Sequence, residues 1–158
     1  EALQWCGAER LGHGVRIVDD IARLPGLDPH GRPKVRMGRL SAWVRDQRIP
    51  LEMCPTSNVH TGAVASIEEH PIDLLRRLRF RVTVNTDNRM VTNTTVSREF
   101  QVIHEELGFN LEEIKEGIIM GFKSAFLPYA LKRAMLAEVV HELKAFKPGS
   151  LESRKEQL

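Results

Sequence analysis

Arg81-Val82-Thr83-Val84-Asn85-Thr86-Asp87-Asn88 constrains this chain more than any other stretch. Val82 and Val84 alternate with Thr83 and Asn85, the period of a buried strand, and the run then ends in a carboxylate. In parallel α/β architectures the reactive groups sit at the carboxyl ends of strands, where loops can close over a ligand. Taken alone, the segment reads equally well as a polar turn whose side chains cap backbone groups. Its neighbours have to decide.

Two further strands precede it. Glu9 to Gly14 runs into His13, a histidine with glycine on both sides. Either the backbone needs an unusual dihedral there, or something approaches the imidazole closely; a turn histidine in water is the plainer alternative. Ile49 to Cys54 is apolar except for Glu52, whose carboxylate needs a partner to be tolerated in such a strand. Pro55 ends that strand, and Thr56-Ser57-Asn58 reads as a polar loop.

Helices are expected between and after the strands. Residues 1 to 7 read as the end of an amphipathic helix, Val15 to Leu24 as a helix with Asp19 and Asp20 near its start, and Val35 to Gln47 as another. Between the last two, Pro25 to Pro33 reads as a loop too rich in proline and glycine for regular structure, with His30 in solvent. Pro71 leads into a helix from Ile72 to Leu78, and a helix from Val96 is stopped by Gly108. Asn110 with Glu113 forms a capping-box pattern for the next one, and Pro128 opens a last helix to about Phe146. Strands separated by helices predict an α/β fold with a parallel sheet covered by helices. Residues 1–146 would be one domain, and the polar residues 147–158 a frayed tail.

Composition narrows the partners. The 23 basic and 21 acidic residues are well mixed, leaving a net charge of +2, and aromatic residues make up only 6%. Neither a nucleic-acid surface nor base stacking is indicated. No apolar run approaches the roughly 20 residues of a membrane span. Cys6 and Cys54 lie far apart in apolar settings, as expected of reduced thiols in a cytoplasmic protein.

Many chemistries are missing their motifs. There is no G-x-G-x-x-G after a strand, no phosphate-binding G-x-x-x-x-G-K-[ST], no G-x-S-x-G and no H-E-x-x-H. What remains is a histidine and an aspartate, each at a strand end, with a polar loop at the strand between them.

Arg10-Leu11-Gly12-His13-Gly14, then Leu51-Glu52-Met53-Cys54-Pro55-Thr56-Ser57-Asn58 with Thr61-Gly62-Ala63, then Val84-Asn85-Thr86-Asp87, resemble the consecutive strand-end motifs of the adenosine deaminase family. Ser124-Ala125-Phe126-Leu127 is similar to the family's C-terminal helical motif. The resemblance implies the C-terminal portion of a TIM-type (β/α) barrel, about the last three of its roughly eight strands, followed by helices. It implies zinc-dependent hydrolysis of adenosine or 2'-deoxyadenosine to inosine and ammonia. By its position in the resemblance Asp87 would be a Zn2+ ligand and a catalytic group, a role that a hard anionic carboxylate suits. His13 would be a catalytic, non-ligand histidine that orients the attacking water. Asn88 stands where many members carry a second aspartate, and its amide could donate to the purine N7.

The family's His-x-His pair, its purine-contacting glycine and its His-Ala-Gly-Glu motif do not occur in this sequence. The expectation is a piece of a barrel of about 250 residues or more, completed by an N-terminal half in the same or a separate chain, and inactive alone. A deaminase of another 6-aminopurine compound, such as adenine or aminofutalosine, and a noncatalytic barrel fragment acting as a scaffold are the alternatives.

Overall fold

The computed structural model describes residues 1–146. Three parallel strands form its centre: β1 (Leu11–Gly12), β4 (Pro50–Met53) and β5 (Arg81–Val84), in the order β1-β4-β5. The register pairs Leu11 with Leu51 and Gly12 with Glu52, then Leu51 with Val82 and Met53 with Val84. Because the strands run the same way, the residues that follow them emerge at one edge of the sheet. The ladder reaches one residue past β5, where the Asn85 amide donates to the Met53 carbonyl at 2.8 Å.

Leu51 and Met53 are buried with Ile72, Leu75, Phe80, Val82, Ile103 and Phe109 in one apolar cluster. These side chains come from the sheet, from α3 (Ile72–Arg77) and α5 (Val96–Leu107), and from the turns after those two helices, which explains why helices cover this face. Asn110 accepts from the Glu113 amide while the Glu113 carboxylate accepts from the Asn110 amide. That reciprocal cap starts α6 (Leu111–Ser124) where the sequence placed it. The last helix, α7 (Tyr129–Ala145), packs on α6. Residues 147–158, expected to be a tail, lie outside the described residues.

The structure departs from the expected elements in three places. Residues 1–7 make a turn, with the Trp5 amide bonded to the Glu1 carbonyl, and not a helix end. Val15–Asp20 is a short 3₁₀ helix, after which Ile21–Leu27 (β2) and Pro33–Met37 (β3) pair antiparallel as a hairpin. Pro25 and Gly26 fall where the β2–β3 register shifts, and Gly26 takes a φ of 85°. A bulge on a two-stranded ribbon tolerates a residue without an N–H, so these residues bend the hairpin instead of preventing it. At its tip the Asp28 carboxylate accepts from the amides of His30 and Arg32 and pairs with the Arg32 guanidinium, which holds its pKa well below the usual carboxylate value.

The next helix is therefore shorter than expected, α1 (Arg39–Asp46). Asp20 caps it from a distance, its carboxylate accepting from the Ser41 amide at 2.7 Å. That bond lowers the Asp20 pKa and matches a carboxylate to the positive end of the helix. The third departure is α2 (Pro55–His60), a helix where a loop was expected. Pro55 ends β4 because it cannot continue the ladder, and the same missing N–H suits the first turn of a helix.

Candidate active site

The edge where the three parallel strands end gathers the polar residues the sequence singled out. His13 follows β1, α2 follows β4, and Asp87 follows β5 by way of Asn85 and Thr86. The His13 Nε2 lies 3.7 Å from the Asp87 Oδ2. Both residues carry a positive φ, 59° for His13 and 54° for Asp87, a conformation that costs a residue with a Cβ on the order of 1–2 kcal/mol. The other non-glycine residues of this kind, Arg48, Arg79 and Asn93, sit at helix ends, where such a φ is ordinary. Gly14 explains half of the glycine flank: its φ is 69°, and a Cβ there would meet the Leu51 side chain at 2.9 Å. Gly12 has open space around it.

Helix α2 fills the middle of the site with two consecutive side chains. Ser57 Oγ donates to the Asp87 Oδ2 at 2.7 Å, and Asn58 Nδ2 lies 2.8 Å from the His13 Nδ1. Asn58 is fully buried, and its Oδ1 accepts from the Cys54 amide at 3.2 Å and meets the His70 Nε2 at 3.0 Å. The His70 Nδ1 in turn accepts from the Ile72 amide at 3.2 Å. Burial pushes the His70 pKa down to about 4, so its ring is neutral at physiological pH.

The start of α2 is held from the far side. Glu99, fully buried on α5, accepts from the Thr56 amide at 3.0 Å and from the Thr94 hydroxyl at 2.7 Å. A carboxylate at a helix N-terminus complements the exposed amides there. Cys54 is buried beside this group, and desolvation, with the charges of Asp87, Glu99 and Glu52, pushes its thiol up to about 12. It is a protonated packing residue and no nucleophile. Glu52 has the partner its strand position demands: Arg10 at 3.1 Å, whose guanidinium also stacks 3.7 Å over the Phe126 ring.

Asn88 has a structural task. Its Oδ1 accepts from the Met90 and Val91 amides at 3.1 and 3.2 Å, capping α4 (Arg89–Thr92). Using the oxygen this way leaves the amide NH₂ at the exposed rim as a donor. Among the described residues no group of three or more His, Cys, Asp or Glu side chains is placed to hold a metal ion. Ser57 engages the Asp87 Oδ2 and leaves Oδ1 of this carboxylate outside that hydrogen bond. The donor set fits one ligand of a metal site.

Sequence reasoning identified His13, Asp87 and Asn88, and the structure brings the first two together with the third beside them. It missed the parts played by Ser57, Asn58 and His70. The spacing of Ser57 and Asn58 after Pro55 was visible, but a polar loop explained it equally well. His70 gave no signal, because its partner lies 12 positions away on another element.

A family model described as adenosine deaminase matches residues 1–142. Adenosine deaminase 1 of Streptomyces coelicolor is 50% identical over 158 residues, all of this chain and 37% of that protein. The chain thus spans a little over a third of the length of this curated relative. Among solved structures, adenine deaminase from Arthrobacter aurescens superposes with a TM-score of 0.75 at 26% identity, over 91% of this chain and 39% of that one. An amidohydrolase from Burkholderia ambifaria solved with bound Zn superposes with a TM-score of 0.64 at 19% identity, over 92% of this chain and 38% of that one, a likeness of fold.

Proposed function

This chain belongs to the adenosine deaminase family, and on that premise we propose that it forms the C-terminal part of a (β/α) barrel deaminase that hydrolyses adenosine and 2'-deoxyadenosine to inosine and ammonia. The observation that carries the reading is the approach of the His13 imidazole to the Asp87 carboxylate at the carboxyl edge of a parallel sheet. A zinc ion held by Asp87 and by family ligands outside this chain would make a hydroxide available near neutral pH. The geometry supports a role for each of the chain's own residues. Asp87 holds one side of the attacking oxygen, steadied by the Ser57 hydroxyl. His13 offers Nε2 toward the same point and stabilises charge as C6 of the purine becomes tetrahedral. Asn88 offers its NH₂ to the acceptor N7.

The remaining half of the site, with the proton-donating glutamate and the histidine ligands, comes from an N-terminal segment in the same or a separate polypeptide. Large apolar side chains that this chain leaves in solvent, Trp5, Met90 and Val91 among them, suit that assembly. No helix among the described residues is long and apolar enough to cross a membrane. The fit to an adenine deaminase structure favours adenine as the second reading, whereas the 50% identity to an adenosine deaminase favours the nucleoside. Ammonia release by the full-length zinc-loaded protein from adenosine, 2'-deoxyadenosine, adenine, AMP and aminofutalosine decides. Adenosine is expected to give the highest kcat/KM; a higher value for adenine would transfer the assignment, and no release from any of them would leave a noncatalytic scaffold.

A further inference from the structure

We propose that Asn58 and His70 are positioning residues that fix the tautomer of His13, so that His13 acts at the site as a hydrogen-bond donor through Nε2 and not as a general base. The inference rests on the deaminase reading for its functional meaning, but its geometry does not depend on it.

Two backbone amides fix the direction of every hydrogen bond in the chain. A backbone N–H can only donate, so the Ile72 amide makes the His70 Nδ1 an acceptor, and the single proton of the neutral ring sits on Nε2. That Nε2–H donates to the Asn58 Oδ1. The Cys54 amide, also only a donor, meets the same oxygen. Both contacts define the amide orientation of Asn58, which a neighbouring histidine alone would leave open. Its Nδ2 is therefore the group facing His13, and an NH₂ can only donate. The His13 Nδ1 must accept, and a neutral His13 carries its proton on Nε2, the nitrogen aimed at Asp87.

The arrangement is built to persist. Asn58 is fully buried and His70 is 4% exposed, so neither amide nor ring can exchange partners with water. Reversing one bond would leave two buried donors facing each other, which costs more than the bond itself contributes. Burial also keeps His70 neutral down to about pH 4, so the chain does not reset in the physiological range. An Nε2–H can hold and orient an attacking oxygen and stabilise the charge that develops on it. It has no lone pair there with which to take that oxygen's proton.

The test uses the full-length zinc-loaded protein labelled with ¹⁵N at histidine and recorded over a pH series, the tautomer being read where one His13 ring nitrogen is unprotonated. His13 is expected to show an unprotonated Nδ1 and a protonated Nε2. Asn58→Asp places an acceptor opposite Nδ1 and should move the proton to that nitrogen. With zinc content and thermal unfolding retained, kcat should fall by about 10²-fold or more while KM changes less than about threefold. A protonated His13 Nδ1 in the unsubstituted protein overturns the proposal, as does an Asn58→Asp protein that keeps full kcat. If the variant fails to fold, the spectrum of the unsubstituted protein still decides. A protein with the expected tautomer that releases no ammonia would refute the deaminase reading and leave the hydrogen-bond chain standing.

Discussion

Asn88 does two jobs with one amide, and they can be separated. Its oxygen caps α4, and its NH₂ is assigned to the purine. Serine preserves an N-cap acceptor but cannot extend a donor to the same place. Asn88→Ser should therefore keep the melting temperature of the full-length protein and lower kcat/KM by about 1–3 kcal/mol. An unchanged kcat/KM would remove Asn88 from the substrate site. His70 makes a prediction in pH. Its folded-state pKa of about 4 lies below the ordinary value of 6.5, so between the two only the unfolded chain takes up the proton. The contribution is fully present above pH 6.5 and is lost as pH falls towards 4, amounting to about 3 kcal/mol across the window. Urea unfolding of the full-length protein and of His70→Phe from pH 7 to 4 should show the steeper loss in the unsubstituted protein; parallel curves would mean the ring is not held neutral.

At the level of elements, what could be read in advance depended on whether an element's cause is local. The α6 cap needs only Asn110 and Glu113, three positions apart, and it was legible. The strand ends at His13 and Asp87 were legible for a similar reason, because alternation and a terminating polar residue are local patterns. The β2–β3 hairpin was not, since Pro25 and Gly26 are breakers until a partner strand makes them a bulge. Helix α2 was hidden because Pro55 both stops a strand and starts a helix, and only Glu99, 43 positions from Thr56, shows which end matters. That long-range contact is testable. Glu99→Leu keeps much of the volume but removes both buried acceptors and leaves the Thr56 amide without its side-chain partner. It should destabilise the full-length protein by about 1–3 kcal/mol in urea. Because α2 carries Ser57 and Asn58, kcat should fall with it even where the protein remains folded. Wild-type stability in this variant would show that α2 is held by packing alone.

For the whole molecule, the question is what a single carboxylate at a sheet edge can accomplish. Zinc in proteins is bound by about four ligands, and in hydrolases about three of them are side chains. Among the described residues no group of three or more His, Cys, Asp or Glu side chains is placed to hold a metal ion, and Asp87 is the residue assigned here as a ligand. Residues 1–158 alone should therefore retain far less than one equivalent of zinc after dialysis, while the full-length protein should retain about one. Asp87→Ala in the full-length protein isolates this residue's share. Losing a direct ligand should weaken zinc binding by more than the roughly 10–100-fold that loss of an outer hydrogen-bond partner costs. The melting temperature should drop as well, because metal bound only by the folded state stabilises it by mass action. Ser57→Ala, which removes only the 2.7 Å hydrogen bond to Asp87, should fall inside that 10–100-fold range. Metal analysis and thermal unfolding of both variants give the order directly. If Asp87→Ala keeps its zinc and its melting temperature, the carboxylate is no ligand, and the reading of this edge as half of a metal site fails.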